Sequence, residues 1–189
     1  ANIDEIIDFG LKGYAASRYS GLWVGMKTVA DTLETTASIN LPDNLPAFDL
    51  PTGFDLPDEG VHGRWPDNRW SQDHRTQNIK LPAFAAFART NPFDRISHAA
   101  KTPRIGIAAA GKSWLDVCQA LDDLGIDQAL ADDLGLTVYK IGLVWPLETQ
   151  AAEGFAQGLE ELLVIEERRS VIETQFKDLA FHWPADQRP

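Results

Sequence analysis

A chain of 189 residues, 44% hydrophobic and 24% charged, holds enough apolar material for a packed core, which excludes a disordered polymer. Seventeen Lys and Arg against 28 Asp and Glu leave a formal net charge of -11, a field that repels phosphate backbones and anionic lipid and argues against nucleic-acid and membrane partners. Cys118 is the one cysteine, so neither an internal disulfide nor a four-thiolate zinc or iron–sulfur site can be assembled from this chain.

A reducing, cytoplasmic setting is therefore expected. No apolar run approaches the roughly 18–20 residues that a membrane span needs, and the start lacks the basic region and apolar stretch of a secretory signal. The chain opens Ala-Asn-Ile-Asp-Glu, without Met and directly in helical periodicity, which suggests a segment excised from a longer protein.

Asn2 and Glu5 form an N-cap pair for a first helix, along which Ile3, Ile6, Ile7, Leu11 and Tyr14 recur at helical spacing to about Ser17. Gly21 then frees the chain to turn. Residues 22–26, short and apolar with Trp23 and Val24, predict a buried strand, and a Thr-rich stretch follows.

From Leu41 to about Asp67, prolines at 42, 46, 51, 57 and 66 rule out regular structure and predict an ordered connector. Its Phe48, Leu50, Phe54, Leu56, Trp65 and, just beyond, Trp70 are expected to lie across a neighbouring surface, since water solvates them poorly. The Ala- and Phe-rich residues 83–90 predict a helix stopped at Asn91-Pro92. A second boundary falls near Lys101.

Residues 104–110 then read as a strand, and Ser113 as the cap of a helix with Trp114, Val117, Cys118, Leu121 and Leu124 on one face. Gly125 closes that helix. A short helix over 127–134 ends at Gly135, and residues 136–144 form a second strand. Pro146 starts a helix carrying Leu147, Ala151, Phe155 and Leu159. Residues 162–165 follow as a fully buried strand, and Ser170 with Glu173 makes a capping box for a last helix over about 171–181. This series predicts an α/β domain, a three-layer open sheet of parallel strands with helices on its faces, preceded by a helix–strand appendage and the Pro-rich connector.

The segment Gly106-Ile-Ala-Ala-Ala-Gly111-Lys112-Ser113 satisfies G-x-x-x-x-G-K-[ST], whose phosphate-cradling loop makes a nucleotide-binding domain the alternative reading. Against it, a loop starting at Gly106 leaves a strand of only Arg104-Ile105, and Ile and Ala prefer regular structure. Gly111, Lys112 and Ser113 are instead read as a strand-to-helix turn. With Glu166, which ends the third strand, they are the candidate cofactor-binding positions at the carboxyl edge of the sheet, where ligands bind in open α/β folds. Glu166-Glu-Arg168-Arg169 reads otherwise as a solvated charge cluster with an arginine pairing locally. His62, His74, His98 and His182 lack metal-ligand spacing. Arg64-Trp-Pro-Asp67 and Arg69-Trp70 mix basic and aromatic residues able to stack a ring, though packing between domains is the simpler role. Neither a catalytic set nor a metal site is expected.

The run Gly13-Tyr-Ala-Ala-Ser-Arg-Tyr-Ser-Gly-Leu-Trp-Val-Gly-Met-Lys27, the Arg64-Trp-Pro-Asp67 connector, Gly111-Lys-Ser-Trp-Leu-Asp-Val117, Trp145-Pro-Leu-Glu148 and Val164-Ile-Glu-Glu-Arg168 resemble indolepyruvate ferredoxin oxidoreductase, of the 2-oxoacid:ferredoxin oxidoreductase family. The resemblance implies that residues 1–40 are the tail of a thiamine-diphosphate pyrimidine-binding domain, 41–100 a connector and 101–183 a transketolase C-terminal-like domain. It implies a parent that oxidatively decarboxylates aryl pyruvates to aryl-acetyl-coenzyme A with thiamine diphosphate, Mg and iron–sulfur clusters. Expected partners are the parent's other domains, ferredoxin and further copies in a homo-oligomer. The family's Gly-Asp-Gly diphosphate segment, cysteine clusters and activating Glu have no counterpart in these residues. The segment alone is therefore expected to bind no cofactor and to be inactive, its transketolase-like domain serving architecture.

Overall fold

A computed structural model describes residues 2–40, 43, 44 and 46–189. Leu41 and Pro42, which open the predicted connector, and Leu45 lie outside the described residues. Backbone contacts divide the chain into two units, residues 2–92 and residues 93–189.

The first unit is helical. In α1 (Ile3–Ser20) the Asn2 side chain accepts the Glu5 N–H at 3.0 Å, as expected, and the helix runs a turn beyond Ser17. It stops at Gly21, whose φ of 71° suits the left-handed cap, and a Cβ there would stand 2.9 Å from the Val61 carbonyl oxygen. Glycine is thus required twice over. A single helical turn, α2 (Ala30–Leu33), precedes the connector. Beyond it, α3 (Arg69–Arg75), a π turn (Thr76–Lys80) and α4 (Leu81–Thr90) run on without a break. Pro82 has no N–H for the Asn78 carbonyl and crowds it, and the chain widens in the turn just before. Ala16 and Ala83, both 0% exposed, let α1 and α4 close together. Phe87 seals the contact against the rings of Tyr19 and Phe48.

Two expectations fail here. Residues 22–26 form no strand, and Trp23 is fully exposed. Every strand among the described residues belongs to the other unit, so this backbone finds no ladder to join. The apolar connector residues also divide: Phe48, Phe54 and Leu56 are half-buried, whereas Leu50, Trp65 and Trp70 stand in solvent.

The second unit is α/β. Its sheet has the order β1 (Arg95–His98), β3 (Leu136–Ile141), β2 (Ile105–Ala110), β4 (Glu161–Ile165). The three strands read from sequence pair in parallel, Ala108 opposite Tyr139 on one side and Val164 on the other. β1, within the stretch read as connector, adds an antiparallel edge. Between strands come α5 (Gly111–Asp123), α6 (Gln128–Leu134) and α7 (Thr149–Ala156), and α8 (Ile172–Phe181) follows β4.

Period-two alternation sends neighbouring strand residues to opposite faces. Ala108, Tyr139 and Ile141 pack with Leu147, Phe155, Leu159, Ile172 and Phe176, on the α7–α8 side. Ala109, Leu136 and Val138 pack with Val117, Leu121 and Ala131, on the α5–α6 side. Those are the three predicted layers. β3, with strands on both sides and helices on both faces, is the fully buried strand. β4, expected to be so, is an edge strand with Leu163 54% exposed. Of the expected stripe, Leu147, Phe155 and Leu159 are buried, whereas Ala151 is exposed and Ala152 and Ala156 of α7 take its place in the core. Leu124, assigned to the core face of α5, is 71% exposed.

Candidate functional site

At the carboxyl edge, β2 passes into α5 with no intervening loop. Gly111, with φ at 53°, makes the turn, and Ala110 occupies the cap position with no side-chain hydrogen bond. The helix therefore starts before Ser113, which lies buried in its first turn, and the predicted Ser113 cap is not formed. Lys112 Nζ donates to both carboxylate oxygens of Asp116 at 2.8 Å, one helical turn on. Gly106 sits inside β2, bonded to strands on both sides. No loop wraps over 106–110, whose amides belong to the sheet, and Gly111, Lys112 and Ser113 form the first turn of α5.

Glu166 closes β4 and reaches over the start of α8. Its Oε1 accepts the N–H groups of Val171 (3.1 Å) and Ile172 (2.9 Å), and its Oε2 that of Glu173 (3.1 Å). One carboxylate thus satisfies three of the donors that a helix start leaves open, with its charge against the positive end of the helix. The Ser170–Glu173 capping box does not form, and Glu173 pairs instead with Lys177. The edge thus holds all four candidate positions, Lys112 paired within α5 and Glu166 bonded to the start of α8. Arg168 and Arg169 are exposed and make no ion pair among the described residues, contrary to the local pairing expected.

The sequence reading missed a polar hub beside these strands. Asp94 Oδ1 accepts the N–H groups of Gly142 (2.7 Å) and Leu143 (2.9 Å), and its Oδ2 the Tyr139 hydroxyl at 2.9 Å. Burial pushes the Asp94 carboxyl above the usual range, against the lowering effect of these donors. Tyr139 is driven well above its ordinary value, first by burial and then by the Asp94 charge. The hub fixes the start of the loop at 142–148. Gln175 fixes its other end, its Oε1 accepting the Leu147 N–H and its Nε2 donating to the carbonyls of Val144 and Val171. Between these anchors the Trp145–Pro146 peptide is cis and Trp145 is 63% exposed. On the α5 side, the Lys140 ammonium lies 3.8 Å from the Trp114 ring, whose Nε1 donates to Ser97 Oγ. A lone Asp after Pro92-Phe93 carries no signal by itself; the Trp-Pro-Leu-Glu motif was the visible trace of this loop.

In the helical unit, Arg75 holds Asp67 through two hydrogen bonds of 2.8 and 3.0 Å, which keep the Asp67 carboxyl below its usual range. Beside this pair lies an open groove of about 350 Å³ lined by Pro57, Glu59, Arg64, Trp70, His74 and Ile79. Arg69 lies over the Trp70 ring.

No three His, Cys, Asp or Glu side chains converge to hold a metal ion among the described residues, and Cys118 is half-buried with its thiol pushed up by burial. With one thiol and no gathered carboxylates, the described residues do not fit an iron–sulfur cluster or the magnesium of a diphosphate. No helix among the described residues is long and apolar enough to cross a membrane.

The second unit is, by topology and layering, an open α/β domain whose carboxyl-edge polar groups brace its own loops and helices. Residues 95–188 match the family model described as the indolepyruvate oxidoreductase domain, and through this half the chain belongs to that family. It is 36% identical over 92 residues to indolepyruvate oxidoreductase subunit IorA of Pyrococcus horikoshii and 38% identical over 78 residues to that of Pyrococcus abyssi. The matches take in 49% and 41% of this chain but only 13% and 11% of those relatives. A solved structure, 2-oxoglutarate:ferredoxin oxidoreductase from Magnetococcus marinus, aligns at a TM-score of 0.42 and 16% identity, covering 63% of this chain and 19% of its own.

Proposed function

We infer that this chain is a segment of a cytoplasmic, thiamine-diphosphate-dependent indolepyruvate ferredoxin oxidoreductase and serves its architecture and assembly. The family match over residues 95–188 carries the reading. Residues 1–40 are the tail of the pyrimidine-binding domain, 41–100 the connector and 101–183 the transketolase C-terminal-like domain. The parent converts aryl pyruvates to aryl-acetyl-coenzyme A, with Mg, iron–sulfur clusters and ferredoxin engaged by its other domains, in a homo-oligomer. The engagement of Lys112 by Asp116 and of Glu166 by α8 supports the assignment of catalysis elsewhere.

Titration calorimetry of the 189-residue chain with thiamine diphosphate and Mg tests this directly. No binding tighter than about 10 μM, some 7 kcal/mol, is expected. Tighter binding means that the segment holds a cofactor site and sinks the architectural reading.

A further inference from the structure

The face carrying Val144, Trp145 and Val171 is exposed yet rigid. The three side chains are 39%, 63% and 40% exposed. Their backbones are drawn together by Gln175, which bonds the carbonyls of both valines, while Asp94 holds the loop at Gly142 and Leu143. An aromatic residue on a loop whose backbone is anchored on both sides loses less entropy on docking than one on a free loop, which suits an interface anchor.

Arg168 and Arg169 stand on the loop that leads into Val171. Every other cation of residues 93–189 already pairs with a carboxylate, bonds a carbonyl or stacks on Trp114. Glu166 is tied to α8, so the exposed part of the loop sets two arginines against Glu167 alone. In a chain of formal net charge -11, a local positive spot beside an apolar anchor selects an acidic counterpart. The curated relatives are several times longer than the matched region, so in them this domain has neighbours on its own polypeptide.

We propose that Val144, Trp145, Val171, Arg168 and Arg169 form the surface by which this domain docks onto an acidic face of another domain of its parent enzyme. The proposal rests on the reading of the chain as an assembly segment.

The test uses the full-length parent with the photo-crosslinker benzoylphenylalanine replacing Trp145. Irradiation should join this position to a surface rich in Asp and Glu on another domain, and the double variant Arg168→Glu/Arg169→Glu should lower the yield about tenfold. Circular dichroism checks that the variant folds, which substitutions at exposed loop positions allow. Crosslinks to a second copy of this domain, to a surface without carboxylates or to nothing overturn the proposal, as does a yield unchanged within twofold in the folded double variant. Indolepyruvate-dependent dye reduction is measured in parallel on the wild-type parent. Its absence removes the proposed function but leaves the crosslink pattern to decide the docking face.

Discussion

Asp94 gathers three donors, two of them backbone amides, and burial still raises its carboxyl above the ordinary range. Between the unfolded value of about 3.9 and the higher folded value, the native state binds a proton that the unfolded chain has released. Stability therefore falls as pH rises through that interval, and the full cost is present above it. Asp94→Asn keeps both amide bonds through its carbonyl, while its NH2 donates to the Tyr139 oxygen and the Tyr139 O–H loses its acceptor. Melts of this variant should lack this decline with pH. Asp94→Ala strands all three donors and should cost about 3 kcal/mol. Parallel pH profiles for wild type and Asp94→Asn would refute the account.

At the scale of elements, Gly106 decides between strand and phosphate loop. A Cβ there would lie 2.4 Å from Leu159 Cδ1 and 2.9 Å from Phe155 Cζ. Gly106→Val should therefore destabilise by about 1–3 kcal/mol through overpacking, read from denaturant midpoints. A neutral result would mean that the core layer over β2 is loose. The parallel strands were legible in sequence because they are apolar runs punctuated by Gly125 and Gly135, and α1 because Asn2 and Gly21 bracket its periodicity. β1 was not legible: four residues, Arg95 to His98, with two of them charged or ionisable, carry no strand signal until β3 is there to pair with them. The cap of α8 was misread for a related reason. Ser170 and Glu173 fit a local motif, but Glu166, arriving from the end of β4, was better placed to take the three amides. Local patterns were reliable where the partner was local.

Over the whole molecule, protection should follow topology. The amides of β3, flanked by strands and covered on both faces, should exchange slowest, and those of residues 22–26 within the fastest class, with β4 between them. Hydrogen exchange read by mass spectrometry gives the order, and strong protection at 22–26 would show pairing that the fold does not contain. Ile172 and Phe176 of α8 complete the core face built on Ala108, Tyr139 and Phe155, and Gln175 of the same helix completes the loop after β3. On the ribosome, where the chain emerges from its amino-terminal end, β2, β3 and β4 are all available before that helix exists. The nascent domain thus carries a sheet face covered by α7 alone until α8 is made, and the loop that presents Trp145 takes its fixed shape only then.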